Sequence, residues 1–327
     1  LEDWTTGLIL ILAGGGGHTG YAYIIAEELV GKVELNFLVP VDDPLSMARL
    51  QLFGEVKAIV KPRHPRTPFY EFVPRLLQSS LQSLRRIPKN CQAVISTGSN
   101  FCIPPALISW MRGIPLVNLE SADRFVKPSK TARILQPFSD VTALQWDEQR
   151  RNLKGMVFGP LLPRRKVEPW RGGYVLVASG TYGYRELLEA ISRSSLEDVV
   201  IQTGGVEANR YKEKHPTWRF VSITKRFYEL IGGAEVVISP PGVTALEAVA
   251  YDKPVVIVKY PEWSRAGTLE DGMLFAEKLN APFLRYLTPE ALEDAIDRAK
   301  KSNRPRLKNG ARELADYIIE NYVNKDY

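Results

Sequence analysis

One of the three histidines of this 327-residue chain, His18, stands inside the run Ala13-Gly14-Gly15-Gly16-Gly17-His18-Thr19-Gly20. Glycines let a backbone reach positive φ and come close to a ligand. An imidazole beside them can act as a general base or touch a phosphate, and the plainer reading is a hydrogen bond to the loop itself. Asn118-Leu119-Glu120-Ser121-Ala122-Asp123-Arg124 supplies a carboxylate, Glu120, that can orient or assist such a base or pair with Arg124. Ser96-Thr97-Gly98-Ser99-Asn100 is a third polar turn. Two more, Ser179-Gly180-Thr181-Tyr182-Gly183 and Ser239-Pro240-Pro241-Gly242-Val243-Thr244, put small residues and backbone N–H groups just ahead of helical segments. That arrangement stabilises phosphate. Singly each reads equally well as a tight structural turn, and the two together point to a nucleoside diphosphate. Glu247 falls one turn into the second helix, where a carboxylate can accept from two ribose hydroxyls or simply complement the helix N-terminus.

Other chemistries are disfavoured. There is no Asp-x-Asp, the histidines are scattered, and Cys91 and Cys102 lack metal-ligand spacing, so neither metal nor other cofactor is expected. The glycine run does not match G-x-G-x-x-G, and Asp42 and Asp43 sit in a proline-flanked loop, which argues against a dinucleotide. Two cysteines imply a reducing compartment rather than a disulfide framework. No run reaches the ~20 apolar residues that span a bilayer. The chain begins at Leu1 rather than methionine, which leaves room for a preceding segment, a membrane anchor among the possibilities.

The elements that must hold these residues alternate. Leu8–Leu12, Glu34–Val39, Val56–Val60, Ala93–Ser96, Leu116–Leu119 and Val141–Leu144 read as strands. Helices are expected near Tyr21 through Ile24–Leu29, then at Ser46–Leu50, Pro74–Leu84 and Pro105–Met111. Alternation at this spacing predicts a parallel sheet with helices on its faces. A proline-rich basic connector follows at Phe158–Lys166, and the pattern restarts. Strands at Tyr174–Ala178, Val199–Gln202, Val236–Ser239 and Pro254–Val258 come with helices at Tyr184–Ile191 and Ala245–Tyr251. The expected organisation is α/β with two Rossmann-like domains facing each other across a cleft. Residues 1–163 form the first, 164–173 a linker, 174–304 the second, and 305–327 a helix that can cross back onto the first.

The formal charge of +6 is uneven: residues 1–166 carry 21 Lys/Arg against 14 Asp/Glu, and 57–89 carry eight against one. Such a stretch attracts a polyanion. Phe69, Tyr70, Phe72, Leu76 and Leu77 lie there beside Arg75, Arg85 and Arg86. This composition suits an acidic membrane surface about as well as an ordinary helix covering the sheet. Nucleic acid is disfavoured, since no recognised motif accompanies the charge.

With these motifs in order, the chain resembles the two-domain GT-B glycosyltransferases. The likeness is to the bacterial lipid-II-forming N-acetylglucosaminyltransferase and to the eukaryotic two-subunit enzyme that adds the second GlcNAc to dolichyl-diphosphate-GlcNAc, here fused as in archaeal relatives. Gly-Gly-Gly-His-Thr-Gly at 15–20, Val117-Asn118-Leu119-Glu120-Ser121, Gln145-Trp146 and Ile238 to Ala248 are similar to the family's motifs. Pro240-Pro241 and Glu270-Asp271-Gly272 depart from them. The resemblance implies inverting, metal-independent transfer from UDP-GlcNAc to a polyprenyl- or dolichyl-(di)phosphate-linked sugar, in glycolipid or N-glycan precursor synthesis. The place would be the cytoplasmic face of the cell membrane. It further implies uracil near Ile223, ribose at Glu247, and diphosphate at Ser179, Gly180, Thr181, Gly242, Val243 and Thr244. The donor sugar would lie toward Glu270 and Asp271. His18 would be the base with Glu120 assisting, and the acceptor would meet Gly16, Gly17, Thr19, Ser99, Asn100, Arg124 and Lys130. A UDP-GlcNAc 2-epimerase and a non-catalytic UDP-sugar-binding protein share the expected architecture and remain the alternatives.

Overall fold

A computed structural model describes residues 7–64, 67–222, 224, 226–261 and 267–324. In chain order the first elements are β1 (Leu8–Leu12), α1 (Gly17–Leu29), β2 (Glu34–Pro40), α2 (Pro44–Leu50), β3 (Glu55–Ile59), α3 (Phe69–Arg86) and β4 (Cys91–Ser96). Then come α4 (Ile103–Met111), β5 (Leu116–Leu119), α5 (Lys130–Leu135), β6 (Val141–Leu144) and β7 (Met156–Val157). The second sheet's elements are β8 (Tyr174–Ala178), α6 (Arg185–Ile191), β9 (Val199–Gln202), α7 (Asn209–Lys214), β10 (Arg219–Val221), α8 (Phe227–Gly233) and β11 (Ala234–Ser239). The last are α9 (Val243–Ala250), β12 (Val255–Val258), α10 (Leu269–Lys278), β13 (Phe283–Leu284), α11 (Pro289–Lys301) and α12 (Gly310–Ile318).

These elements form two units. The first takes residues up to 122, 127–161 and 308 onward; the second takes 123–126 and 162–307. The first unit's sheet is parallel throughout, in the order β3-β2-β1-β4-β5-β6-β7. Strand β1 is buried along its whole length, because helices cover both faces of such a sheet and a continuous apolar run is what that demands. Leu10, Leu12, Leu38, Val94, Phe101 and Leu116 share one core cluster. The second unit's sheet, β10-β9-β8-β11-β12-β13, is also parallel. Its core joins Val177, Ile201, Ile238 and Val256 to Leu187 and Leu292 from the helices.

Several boundaries differ from expectation for local reasons. Helix α1 starts at Gly17 rather than near Tyr21, and residues 19–29 are all buried, so no amphipathic stripe marked its first turns. Helix α3 starts five residues before Pro74, which sits inside it at the cost of one backbone hydrogen bond. Helix α10 begins at Leu269, capped by Thr268, which accepts from Asp271 N. Helix α12 begins at Gly310, not Pro305: Asn309 accepts from Ala311 N, and Gly310 N donates to Pro160 O. It packs on α1, with Tyr317 edge-on to Phe158 at 5.4 Å.

Candidate functional site

In a doubly wound sheet, ligands bind beyond the carboxyl ends of the strands where the strand order reverses. In the first unit that point lies between β1 and β4, so the glycine loop after β1 meets the 97–100 turn after β4. Thr97 ties the two together: its N–H and its hydroxyl both donate to Leu12 O, at 3.3 and 2.8 Å. Gly15 and Gly16 turn the loop with φ of +90° and +58°. His18, half-buried in the first turn of α1, has Nδ1 2.7 Å from Thr97 O. A carbonyl only accepts, so Nδ1 carries the proton and, in the neutral ring, Nε2 holds the basic lone pair. Gly98, at φ +98°, closes on this ring: a Cβ there would lie 2.8 Å from Cε1 and Nδ1. The hydrogen bond to the loop and the role of base, separate readings in the sequence, are therefore compatible.

Of the residues grouped around His18, Gly17 is exposed and has open space where a Cβ would be. Gly16 precedes the helix as its N-cap. Ser99 holds φ +73°, ψ 150°, a region essentially reserved for glycine. Its Cβ lies 2.4 Å from where a Cβ on Gly14 would be. Asn100 Nδ2 donates to Arg63 O at 3.1 Å. Thr19 is a correction: it is 2% exposed, and its hydroxyl meets Ser46 Oγ at 2.6 Å. Ser46 Oγ donates in turn to Asp43 Oδ2. Thr19 thus spends its hydroxyl on α2 and is closed to solvent.

Glu120 follows β5, two strands from β1 in the sheet order, or about 10 Å at the usual strand spacing. It is 1% exposed; Oε1 accepts from Ser121 N and Oε2 from Ser129 N, each at 2.7 Å. Gln145 Nε2 donates to its backbone carbonyl, and Ala122 N donates to the Tyr21 hydroxyl of α1. Glu120 thus closes the base of the 121–129 loop. Lys130 is exposed at the start of α5, whereas Arg124 belongs to the second unit, so the two do not share a unit. Gln145 and Tyr21, not picked out as site residues, complete this polar framework.

Helix α3 is inverted relative to a core helix. It buries Ser79 and Ser83 and leaves Phe69, Tyr70, Val73, Leu77, Leu81 and Leu84 exposed. Phe69 and Tyr70 are 80% and 76% exposed. Arg85 is exposed as well. Phe72, Leu76 and Arg86 are half-buried, and Arg75 turns inward, donating from Nε to Lys61 O at 3.1 Å. Phe72 and Leu76 thus lie off the exposed row. Among the described residues no helix is long and apolar enough to cross a membrane.

In the second unit the order reverses between β8 and β11, so the 179–183 and 240–243 turns are neighbours. Ser179 is 3% exposed and its Oγ has no hydrogen-bond partner among the described residues. Gly180 (φ +71°) and Gly242 (φ +142°) both face open space at their would-be Cβ positions. Thr181 is exposed, Val243 is buried and can offer only its backbone, and Thr244 and Glu247 are half-buried on the outer side of α9. Gln202 braces the first turn, donating to Gly180 O at 3.2 Å. A buried hydroxyl with no hydrogen-bond partner among the described residues therefore stands beside two glycine turns with open space, a place where an added hydrogen-bond donor or acceptor would be satisfied. Ile223 lies outside the described residues.

Asp271 is a second correction. It is fully buried inside the first turn of α10, and Glu270 beside it is exposed. Oδ1 accepts from Phe125 N and Val126 N, both at 2.8 Å. Oδ2 accepts from Thr268 N at 2.8 Å and Thr268 Oγ1 at 2.7 Å. All four acceptor positions of the carboxylate are occupied, so none remains for a sugar. Burial alone would push its pKa up, and the N–H groups of Val126, Thr268 and Phe125 outweigh that and hold it down. The neighbouring Asp123 goes the other way, pushed up by burial, with Tyr260 donating to its Oδ2 at 2.5 Å.

Two units of this topology, each with small-residue turns at its strand-order reversal, define the two-domain α/β architecture of the GT-B glycosyltransferases. The comparisons agree. Over 243 residues, two thirds of each chain, the sequence is 28% identical to a Synechococcus elongatus protein. That protein is the UDP-N-acetylglucosamine--N-acetylmuramyl-(pentapeptide) pyrophosphoryl-undecaprenol N-acetylglucosamine transferase. The fold matches MurG of Acinetobacter baumannii with a TM-score of 0.65 at 15% identity, over 96% of this chain and 99% of that one. It matches the UDP-GlcNAc 2-epimerase of Neisseria meningitidis, solved with UDP-GlcNAc, with a TM-score of 0.66 at 13% identity, over 96% and 98%. No family model matches the chain. The chain is thus similar to a glycosyltransferase in sequence, and to glycosyltransferases in fold.

Proposed function

We propose that this chain is an inverting, metal-independent N-acetylglucosaminyltransferase. It takes GlcNAc from UDP-GlcNAc and gives it to the hydroxyl of a sugar carried on a polyprenyl- or dolichyl-type lipid (di)phosphate. The observation that carries the reading is His18, a histidine whose Nδ1 is anchored to a carbonyl at the first sheet's reversal, leaving the basic lone pair on Nε2. In the reaction Nε2 takes the acceptor hydroxyl proton as that oxygen bonds to C1 of GlcNAc, and the bond from C1 to the UDP oxygen breaks. The leaving diphosphate collects negative charge. Ser179 Oγ and the backbone around Gly180 and Gly242 to Thr244 supply hydrogen bonds to it, aided by the α9 N-terminus, so no metal is required. Glu247 accepts from the ribose. Glu120, rather than relaying the proton, keeps the 121–129 loop in place; Gly16 and Gly17 admit the acceptor, with Lys130 toward its phosphates. The exposed row of α3 and its flanking arginines set the protein on the acidic cytoplasmic face of the membrane, where the acceptor resides.

The epimerase fold neighbour keeps a second reading in play, conversion of UDP-GlcNAc with no acceptor. The test is His18→Ala, assayed with radiolabelled UDP-GlcNAc and lipid-phosphate-linked sugars. Transfer should fall at least 100-fold, the usual range for losing a general base, while UDP binding by calorimetry stays within twofold. Retained transfer removes His18 from the role of base. Turnover of UDP-GlcNAc without any acceptor would favour the epimerase.

A further inference from the structure

The glycine loop is held from its far side by a lysine. Lys61, just beyond β3, reaches across the end of β2 and donates from Nζ to Gly14 O at 2.8 Å. Nζ also lies 3.6 Å from where a Cβ on Gly15 would be. Among the described residues Gly14 O is the ammonium's hydrogen-bond acceptor, and no ion pair within 4 Å accompanies it. Burial pushes the Lys61 pKa down, against the pull of Asp42. Lys61 is only half-buried, and an apolar chain of the same length would cover the same surface but leave Gly14 O without this donor. Packing therefore does not account for it.

The carbonyl it holds does account for it. Peptide 14–15 stands immediately before the two positive-φ glycines that swing the backbone into α1, whose second residue is His18. Rotation of that peptide would turn the Gly15 N–H and change φ at Gly15, whose carbonyl accepts from His18 N at 3.3 Å, so the His18 backbone would shift with it. Thr97 O anchors the His18 ring, and Lys61 anchors the loop that delivers it. Lys61 is itself held: Arg75 on α3 donates from Nε to its carbonyl at 3.1 Å and from a guanidinium NH2 to His64 Nε2 at 3.0 Å. Two side-chain hydrogen bonds thus run from the helix with the exposed apolar row to the loop that carries the candidate base.

We infer that Lys61 is a positioning residue for the transfer step: by fixing the Gly14 carbonyl it sets the conformation of loop 14–17 and hence where His18 stands. The inference rests on the reading of His18 as base. Lys61→Met tests it, with two readouts. kcat should fall 10- to 100-fold with the KM for UDP-GlcNAc unchanged, since the donor cradle lies in the other unit. Hydrogen exchange of the amides at 14–18 should speed up at least tenfold, with β1 and the melting temperature unmoved. Lys61→Arg, which keeps a charged donor, should recover most of both losses. Wild-type kcat and exchange in Lys61→Met would overturn the inference. So would loss of activity in proportion to a fallen melting temperature, or failure of the variant to fold, either of which makes Lys61 a folding residue. The exchange readout needs no substrate, so it judges Lys61 separately even where His18→Ala removes the base assignment.

Discussion

Replacing Asp271 by Asn would probe the second unit at a side chain whose carboxylate accepts four hydrogen bonds. The carboxylate is fully buried and accepts two backbone N–H bonds from Phe125 and Val126, and a backbone and a hydroxyl bond from Thr268. An amide keeps one oxygen and must turn its NH2 toward one of these donor pairs. Two hydrogen bonds to a charged acceptor, at about 1.5–3 kcal/mol each, are lost, and some of that returns because no charge is buried any longer. A net destabilisation of about 3 kcal/mol follows, and at about 2–4 °C per kcal/mol for a unit of this size the transition should fall by about 6–12 °C. Calorimetry measures it, with hydrogen exchange in β8, β9 and β11 identifying the second unit's transition. The effect has a pH signature. The folded carboxylate is held below its ordinary value, so its stabilisation is complete above the unfolded pKa of about 3.9 and is lost as pH falls through the folded one. The gap between wild type and variant should therefore be full at neutral pH and shrink toward pH 3. A transition within 2 °C of wild type at pH 7, or a gap that widens in acid, would refute the assignment of Asp271 as a structural clamp.

Two further outcomes are expected. Ser99→Gly should raise stability by about 1 kcal/mol in denaturant unfolding, because relief of the strained φ exceeds the entropy glycine adds to the unfolded chain; a fall in the midpoint would show that Ser99 is not strained. Leu77→Asp with Leu81→Asp should leave the melting temperature unchanged, as both side chains are exposed. Cosedimentation with vesicles containing acidic phospholipid should drop roughly 100-fold, from about 3 kcal/mol of lost apolar burial. Binding of the double variant equal to wild type would place the lipid contact elsewhere.

Most of the architecture was legible because parallel strands buried on both faces write themselves as short apolar runs. Leu8–Leu12, Leu116–Leu119, Tyr174–Ala178 and Val199–Gln202 have the expected bounds. Of the edge strands, only β3, expected one residue late, was legible: β7 and β13 are two residues long, β10 is three, and the short helix α7 has six mostly polar residues. At the site, the turns were readable from glycine and serine spacing. What side chains do there was not, since a carboxylate that caps a loop and one that grips a ligand look alike in a sequence. Glu120 gives its oxygens to the N–H groups of Ser121 and Ser129, and Asp271 gives one to Thr268 and the other to Phe125 and Val126, which only folding brings close. Thr19 was misplaced for a similar reason: its partner Ser46 lies 27 residues away on α2. In the sequence Lys61 is one of eight basic residues at 57–89, and its contact with Gly14 O, 47 residues away, is made only by the fold.

The inverted helix α3 also governs how this protein behaves in a test tube. A row of leucine and aromatic side chains running along five turns, with serines on the inner face, is a self-adhesive strip in plain buffer. Such a strip favours contacts between molecules in lipid-free solution, which would grow with concentration and dissolve in mild detergent. A size measured without detergent reports on that strip. The subunit count of the working protein is the one read with the strip covered.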